Sequence, residues 1–161
     1  MAAAEGIYTR ISVLGDKEYK KALSDIGRQL TVLNTGMKAS QSAFEGQEDS
    51  MEALQDKAAA LEKIYKAQAE KVKLIAEQLN KAKAQYGDNS KQADNLRIAL
   101  NRAESAMNET ETQIAQNEKA LEELETATGE AEKGHEKLAA AMSKLGSLAA
   151  GALKAGLTAA G

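Results

Sequence analysis

The sequence contains no proline, no cysteine and no tryptophan, and it has only one phenylalanine. Because proline is the strongest helix breaker, its absence leaves long helices unhindered. The lack of cysteine excludes disulfide bonds and thiolate metal sites. The scarcity of large aromatic side chains leaves little material for a compact globular core. Ala, Glu, Lys, Gln and Leu dominate instead, as is typical of long helices and coiled coils.

Motifs that carry chemistry are also missing. The formal net charge of −3 argues against nonspecific nucleic-acid binding, which depends on clustered cations. The sequence has no Ser nucleophile elbow, P-loop or glycine-rich dinucleotide turn. His135 is the only histidine, and a lone histidine cannot form a His-rich metal cluster. We therefore expect no enzymatic activity, no catalytic or metal-binding residues and no cofactor.

An apolar seam repeats every seven residues through most of the chain. With Leu23 at heptad position a, every a position as far as Leu121 is apolar. The frame continues without correction across residues 87–90. Such a repeat indicates a coiled coil. The d positions are less regular, and polar residues there fix register at some cost in stability; they include Gln68, Asn89 and Asn117. The predicted oligomer seam comprises Leu23, Ile26, Leu30, Leu33, Met37, Phe44, Met51, Leu54, Leu61, Tyr65, Val72, Ile75, Leu79, Leu96, Leu100, Met107, Ile114, Leu121 and Leu124.

The pattern predicts an all-α fold, with long and mostly continuous coiled-coil helices over residues 16–128. Breaks are expected near 45–50 and 87–90, where glycine and capping residues cluster. The alternative is an antiparallel helical hairpin that turns at Gly87-Asp88. If the chain folds back there, seam residues at equal distances before and after the turn face each other, for example Met51 and Leu124, or Leu79 and Leu96. Both arrangements are compatible with the sequence if the free molecule folds back into the hairpin and the assembled molecule extends into the rod.

The two ends of the chain differ from this middle part. Residues 1–15 are predicted to form an extended arm or strand, since apolar and β-branched residues alternate there, after which Gly15-Asp16 starts a helix near Lys17. Residues 129–161 are predicted to be an Ala/Gly-rich helical tail that continues in a longer parent chain. Lys144 and Lys154 argue against a tail that spans a bilayer, and we do not expect membrane contact by this tail.

The residues beside the seam predict how many helices associate. The g positions from Ala99 to Ala127 are small or uncharged, so they offer no cation for the repeated glutamates at e. Small g residues widen the apolar face, which favours a trimer or a higher oligomer, or a folded-back hairpin. The glutamates at e are predicted to form a solvated face: Glu104, Glu111, Glu118 and Glu125.

The order of these parts resembles a known family. Strand-like residues 11–19 lead into 20–37, then comes Phe44-Glu45-Gly46 through Leu54, and a Lys, Gln and Ala-rich coil follows that contains Tyr86-Gly87-Asp88-Asn89-Ser90. This arrangement resembles the N-terminal region of the tail tape measure proteins of long-tailed bacteriophages and related phage-tail-like particles. The resemblance covers residues 7–125 and includes no catalytic motif.

The resemblance implies a structural protein that lies in the lumen of the tail tube, sets tail length during assembly and leaves when DNA is ejected. Its implied partners are copies of itself, the tail tube protein and tail assembly chaperones; its implied locations are the virion tail lumen and the host cytoplasm during assembly. A fully helical chain of this length spans about 240 Å, which is short for a flexible tail. The competing prediction is an independent helical-hairpin or coiled-coil interaction module, secreted or chaperone-like.

Overall fold

The computed structural model describes the backbone of residues 2–128 and the side chains of residues 16–127. Within these residues the fold is all-α, as predicted, and consists of three helices without a strand. Helix α1 spans Ala2–Ala43, α2 spans Met51–Tyr86 and α3 spans Lys91–Thr128. The predicted Ala/Gly-rich tail lies outside the described residues.

The beginning of α1 corrects the prediction of an extended arm. The backbone of residues 2–15 is helical and runs through Gly15-Asp16 into the rest of α1, so the helix does not start near Lys17. A single strand would leave its backbone groups without partners, whereas a helix satisfies them within its own segment. Ile7, Ile11 and Leu14 are spaced by four and three residues, which is the spacing of one helical face.

Helices α1 and α2 are separated by a turn at the first stretch of glycine and capping residues. Gly46 has φ 83°, a left-handed conformation that favours glycine. The Gly46 N–H donates to Glu48 Oε1 at 2.9 Å, and this bond together with the Glu48 N–H lowers the pKa of that carboxyl. Ser50 caps α2, because its Oγ accepts the Ala53 N–H at 3.2 Å.

Helices α2 and α3 are separated by a second turn at residues 87–90. Gly87 has φ 90° and donates its N–H to Lys83 O at 3.0 Å, which ends α2. Ser90 Oγ accepts the Ala93 N–H at 3.2 Å and so caps α3. Asp88 holds the turn against both helices, since its Oδ1 lies 2.6 Å from Arg97 Nη2 and 3.2 Å from Lys83 Nζ.

Helix α2 lies in the middle of the fold. It packs against α1 on one side and against α3 on another. The cross-helix hydrogen bonds join early residues of one helix to late residues of the next: Gln78 contacts Asp16, and Asn117 contacts Leu54. Both helix pairs are therefore antiparallel. On α2 and α3, most of the seam that a continuous rod would present to other chains is covered by the chain itself.

Candidate functional site

The interface between α2 and α3 forms the apolar core and contains most of the predicted seam. Tyr65, Val72 and Leu79 on α2 and Met107 on α3 are almost completely buried. The seam residues that are buried here are Leu54, Leu61, Tyr65, Val72, Ile75, Leu79, Leu100, Met107, Ile114 and Leu121. Met51, Leu96 and Leu124 are half-buried. The seam predicted for assembly between chains therefore acts within one chain.

Three polar d positions interrupt this core, Gln68, Thr110 and Asn117, and the two amides each carry an unpaired oxygen. Asn117 is only 2% exposed, and its Nδ2 donates to Leu54 O at 2.8 Å. Gln68 Nε2 donates to Ala106 O at 3.2 Å. Asn117 Oδ1 and Gln68 Oε1 are buried without a hydrogen-bond partner among the described residues. A buried acceptor left unpaired costs about 1–3 kcal/mol, so these layers weaken the hairpin.

Burial changes the ionisation of groups along the same interface. Burial, followed by the nearby negative charge of Glu111, raises the pKa of Tyr65 above its ordinary value. Burial also raises the pKa of Glu118. The glutamates at e are thus not uniformly solvated as predicted: Glu111 is exposed, but Glu125 is buried. They lie close enough to the seam for α2 to cover some of them.

A second face of α2, which the heptad analysis missed, packs toward α1. Ala53 and Lys57 border the same cleft as Met37 of α1, and Ser40 Oγ donates to Asp56 Oδ2 at 3.1 Å. Ala53, Lys57 and Gln78, which border or contact α1, lie at positions c and g. The c and g positions between them repeat at steps of three and four and are also buried or half-buried: Ala60, Ile64, Ala67, Lys71 and Leu74. The large apolar residues Ile64 and Leu74 could have indicated this second packing face. The lysines and alanines at the other c and g positions made the face difficult to recognise from the sequence.

The predicted seam residues of α1 are placed differently from those of α2 and α3. They are all half-buried, because α1 packs on α2 alone among the described helices. Leu23 and Met37 touch the main core. The group is Leu23, Ile26, Leu30, Leu33, Met37 and Phe44. The structure thus divides the predicted seam into a covered part and a partly accessible part on α1.

A shallow cleft of about 600 Å³ lies beside the first turn. Its walls include Lys38 and Lys57 as well as Glu45 and Asp56, so charges of both signs are mixed. The Ser40 hydroxyl donates to Asp56 across this cleft and so joins α1 to α2.

The described residues contain neither a metal-binding cluster nor a membrane-spanning helix. No group of three or more His, Cys, Asp or Glu side chains there has the arrangement of a metal site. None of the described helices is long and apolar enough to cross a membrane. Comparisons with protein-family models, with curated proteins and with solved structures found no match for this chain. The helical seams are therefore the features of the described residues that bear on function.

Proposed function

We propose that this chain is a structural protein of a bacteriophage tail or phage-tail-like particle, belonging to the N-terminal region of a tail tape measure protein. In this role it lies in the lumen of the tail tube and sets tail length during assembly. Copies of the chain associate as a trimer or higher oligomer, tail assembly chaperones cover it before the tube grows, and it leaves with DNA ejection. It has no catalytic function and needs no cofactor.

The observation that carries this proposal is the heptad frame from Met51 to Leu124, which keeps its phase across the turn at residues 87–90. A ruler acts through its length, and each helical residue adds about 1.5 Å. Because the seam keeps one phase, α2 and α3 can join into a single continuous coiled coil whose length is proportional to its number of residues. The order of parts over residues 7–125, which resembles tape measure proteins, supports the same role.

The test is to change length without changing phase. Deleting two whole heptads, Ala58 to Ile64 and Tyr65 to Lys71, removes about 21 Å of helix and keeps the downstream seam in register. In the intact parent protein, we expect particles whose tails are shorter by that increment or by the nearest whole tube ring. Electron microscopy measures the lengths.

The matched control is a deletion of five residues, Ala58 to Glu62, which rotates every later a and d position off the seam. We expect it to impair assembly more severely than the larger deletion, because a shift in phase exposes the seam. Tails of unchanged length after the two-heptad deletion would remove the ruler role.

A second candidate is an independent helical-hairpin interaction module. The antiparallel packing of α2 on α3 favours it, because the hairpin buries its own seam and needs no other copy for stability. Sedimentation equilibrium separates the two candidates. A monomer at all concentrations, together with unchanged tails, would leave the interaction module as the function.

A further inference from the structure

The phase of the seam across the second turn is not explained by the hairpin. Tyr86 is the last a position of α2, and Ala93 is the next a position, seven residues later. Loops of about two to five residues join antiparallel helices, so a turn one residue longer or shorter would also reverse the chain. It would, however, rotate the seam of α3 by about 100° relative to that of α2 in a straight helix. A retained phase has a physical consequence only when the two helices form one rod.

The polar layers indicate the same second arrangement. In the hairpin, Asn117 and Gln68 each face a backbone carbonyl and bury an amide oxygen without a donor. In a parallel, in-register coiled coil, each of these residues would face its own counterpart in the other copies. A side-chain amide both donates and accepts, so identical amides around one axis satisfy each other. The defect of the hairpin is thus removed in an assembly.

The two faces of α2 make this change geometrically simple. Each residue of an α-helix is rotated by about 100° from the one before it. On this basis the centre of the α2 face packed toward α1 lies about 100° around the helix axis from the centre of the seam packed on α3. α3 can therefore leave the seam while α1 stays on its own face of α2. The barrier lies at residues 87–90, where Gly87 has positive φ and Asp88 binds Lys83 and Arg97.

We propose that the a/d seam of α2 and α3 is a shared binding surface: it pairs within the chain in the free molecule, and after the turn straightens it pairs in parallel with other copies of this chain. Residues 51–128 then form one helix of about 117 Å. The inference rests on the seam and not on a role in phage tails. It stands if tail length proves insensitive to heptad deletions.

The test measures the distance between the two arms in the full chain. Because the sequence has no cysteine, Gln55→Cys with Glu122→Cys introduces two unique dye sites at exposed positions. These sites are close in the hairpin and about 100 Å apart in the rod. The labelled chain is kept at trace level in an excess of unlabelled chain, so that transfer between copies is negligible. We expect high energy transfer at low total concentration and a loss of transfer, coupled to an increase in mass by sedimentation, as the unlabelled chain is added.

Two turn variants make the result decisive. In the first, residues 87–90 are replaced by four alanines, which removes the glycine cap and Asp88 and keeps the phase. In the second, five alanines replace the same four residues, which breaks the phase. We expect the first variant to lose energy transfer and form elongated oligomers, and the second to form none. High transfer in the first variant at every concentration, or the same assembly by both variants, would overturn the proposal.

Discussion

Replacing Asn117 by leucine should stabilise the free molecule. Asn117 is 2% exposed, donates one hydrogen bond to Leu54 O and buries an oxygen without a partner. The substitution removes the unpaired oxygen, worth about 1–3 kcal/mol, and loses a hydrogen bond worth about 0.5–1.5 kcal/mol. Leu54 O lies within α2, where a helical N–H also donates to it, so this carbonyl keeps a hydrogen-bond partner after the substitution. Leucine of similar size adds apolar burial, so we expect a net gain of about 1–3 kcal/mol.

The assay is urea unfolding followed by circular dichroism, in samples dilute enough to be monomeric by sedimentation. The midpoint should rise with the slope m unchanged, since the surface exposed on unfolding stays the same. Gln116→Leu is the matched control, because its neighbouring site on α3 is exposed and such changes stay within about 0.5 kcal/mol. If Asn117→Leu lowered the midpoint, the amide would be fully satisfied in the hairpin and the reasoning about polar layers would fail.

Three further changes probe the core, α1 and ionisation. Leu79→Ala should destabilise the hairpin by about 3–5 kcal/mol, because Leu79 is completely buried, whereas Ile98→Ala at a half-exposed site should cost far less by urea unfolding. Gly27→Ala and Gly36→Ala should each stabilise α1 by about 1 kcal/mol in thermal melts, since a Cβ meets nothing within 4 Å at either position; a loss would mean that the glycines serve close packing. Tyr65 has a raised pKa, so the stability it contributes is full below pH 10 and is lost as the pH rises through its folded pKa; Tyr65→Phe should weaken this decline in alkaline unfolding curves.

The sequence predicts the helices better than it predicts their partners. The seven-residue repeat requires helical spacing wherever it runs, so the all-α fold and the a/d core could be inferred from positions such as Leu61, Val72 and Leu100. The choice between a rod and a hairpin could not, because both bury the same seam. It depends on whether a few residues at the turn, with Gly87 at positive φ, reverse the chain.

Local pattern failed in two places for physical reasons. Alternation around Ile11 resembles a strand, but the structure continues α1 through it, because a helix needs no second segment to satisfy its backbone. The α1-facing surface of α2 was missed because alanines at Ala53 and Ala67 are buried yet resemble surface alanines in a helix-rich sequence. Small residues reveal a packing face only when their neighbours are known.

The two buried amide oxygens also affect the free-energy difference between the hairpin and the assembled form. A seam that can exchange partners must favour the hairpin when the chain is dilute and other copies when it is concentrated. Unpaired oxygens at Gln68 and Asn117 lower the stability of the hairpin by about 2–6 kcal/mol together, which is a factor of roughly 30 or more in the population of open molecules. An apolar pair at these positions would bury the seam within the chain more tightly and leave less to gain from assembly. The polar d layers therefore lower the free energy that is needed to open the folded-back chain. The apolar a positions stabilise both the hairpin and the assembled form, because both bury them.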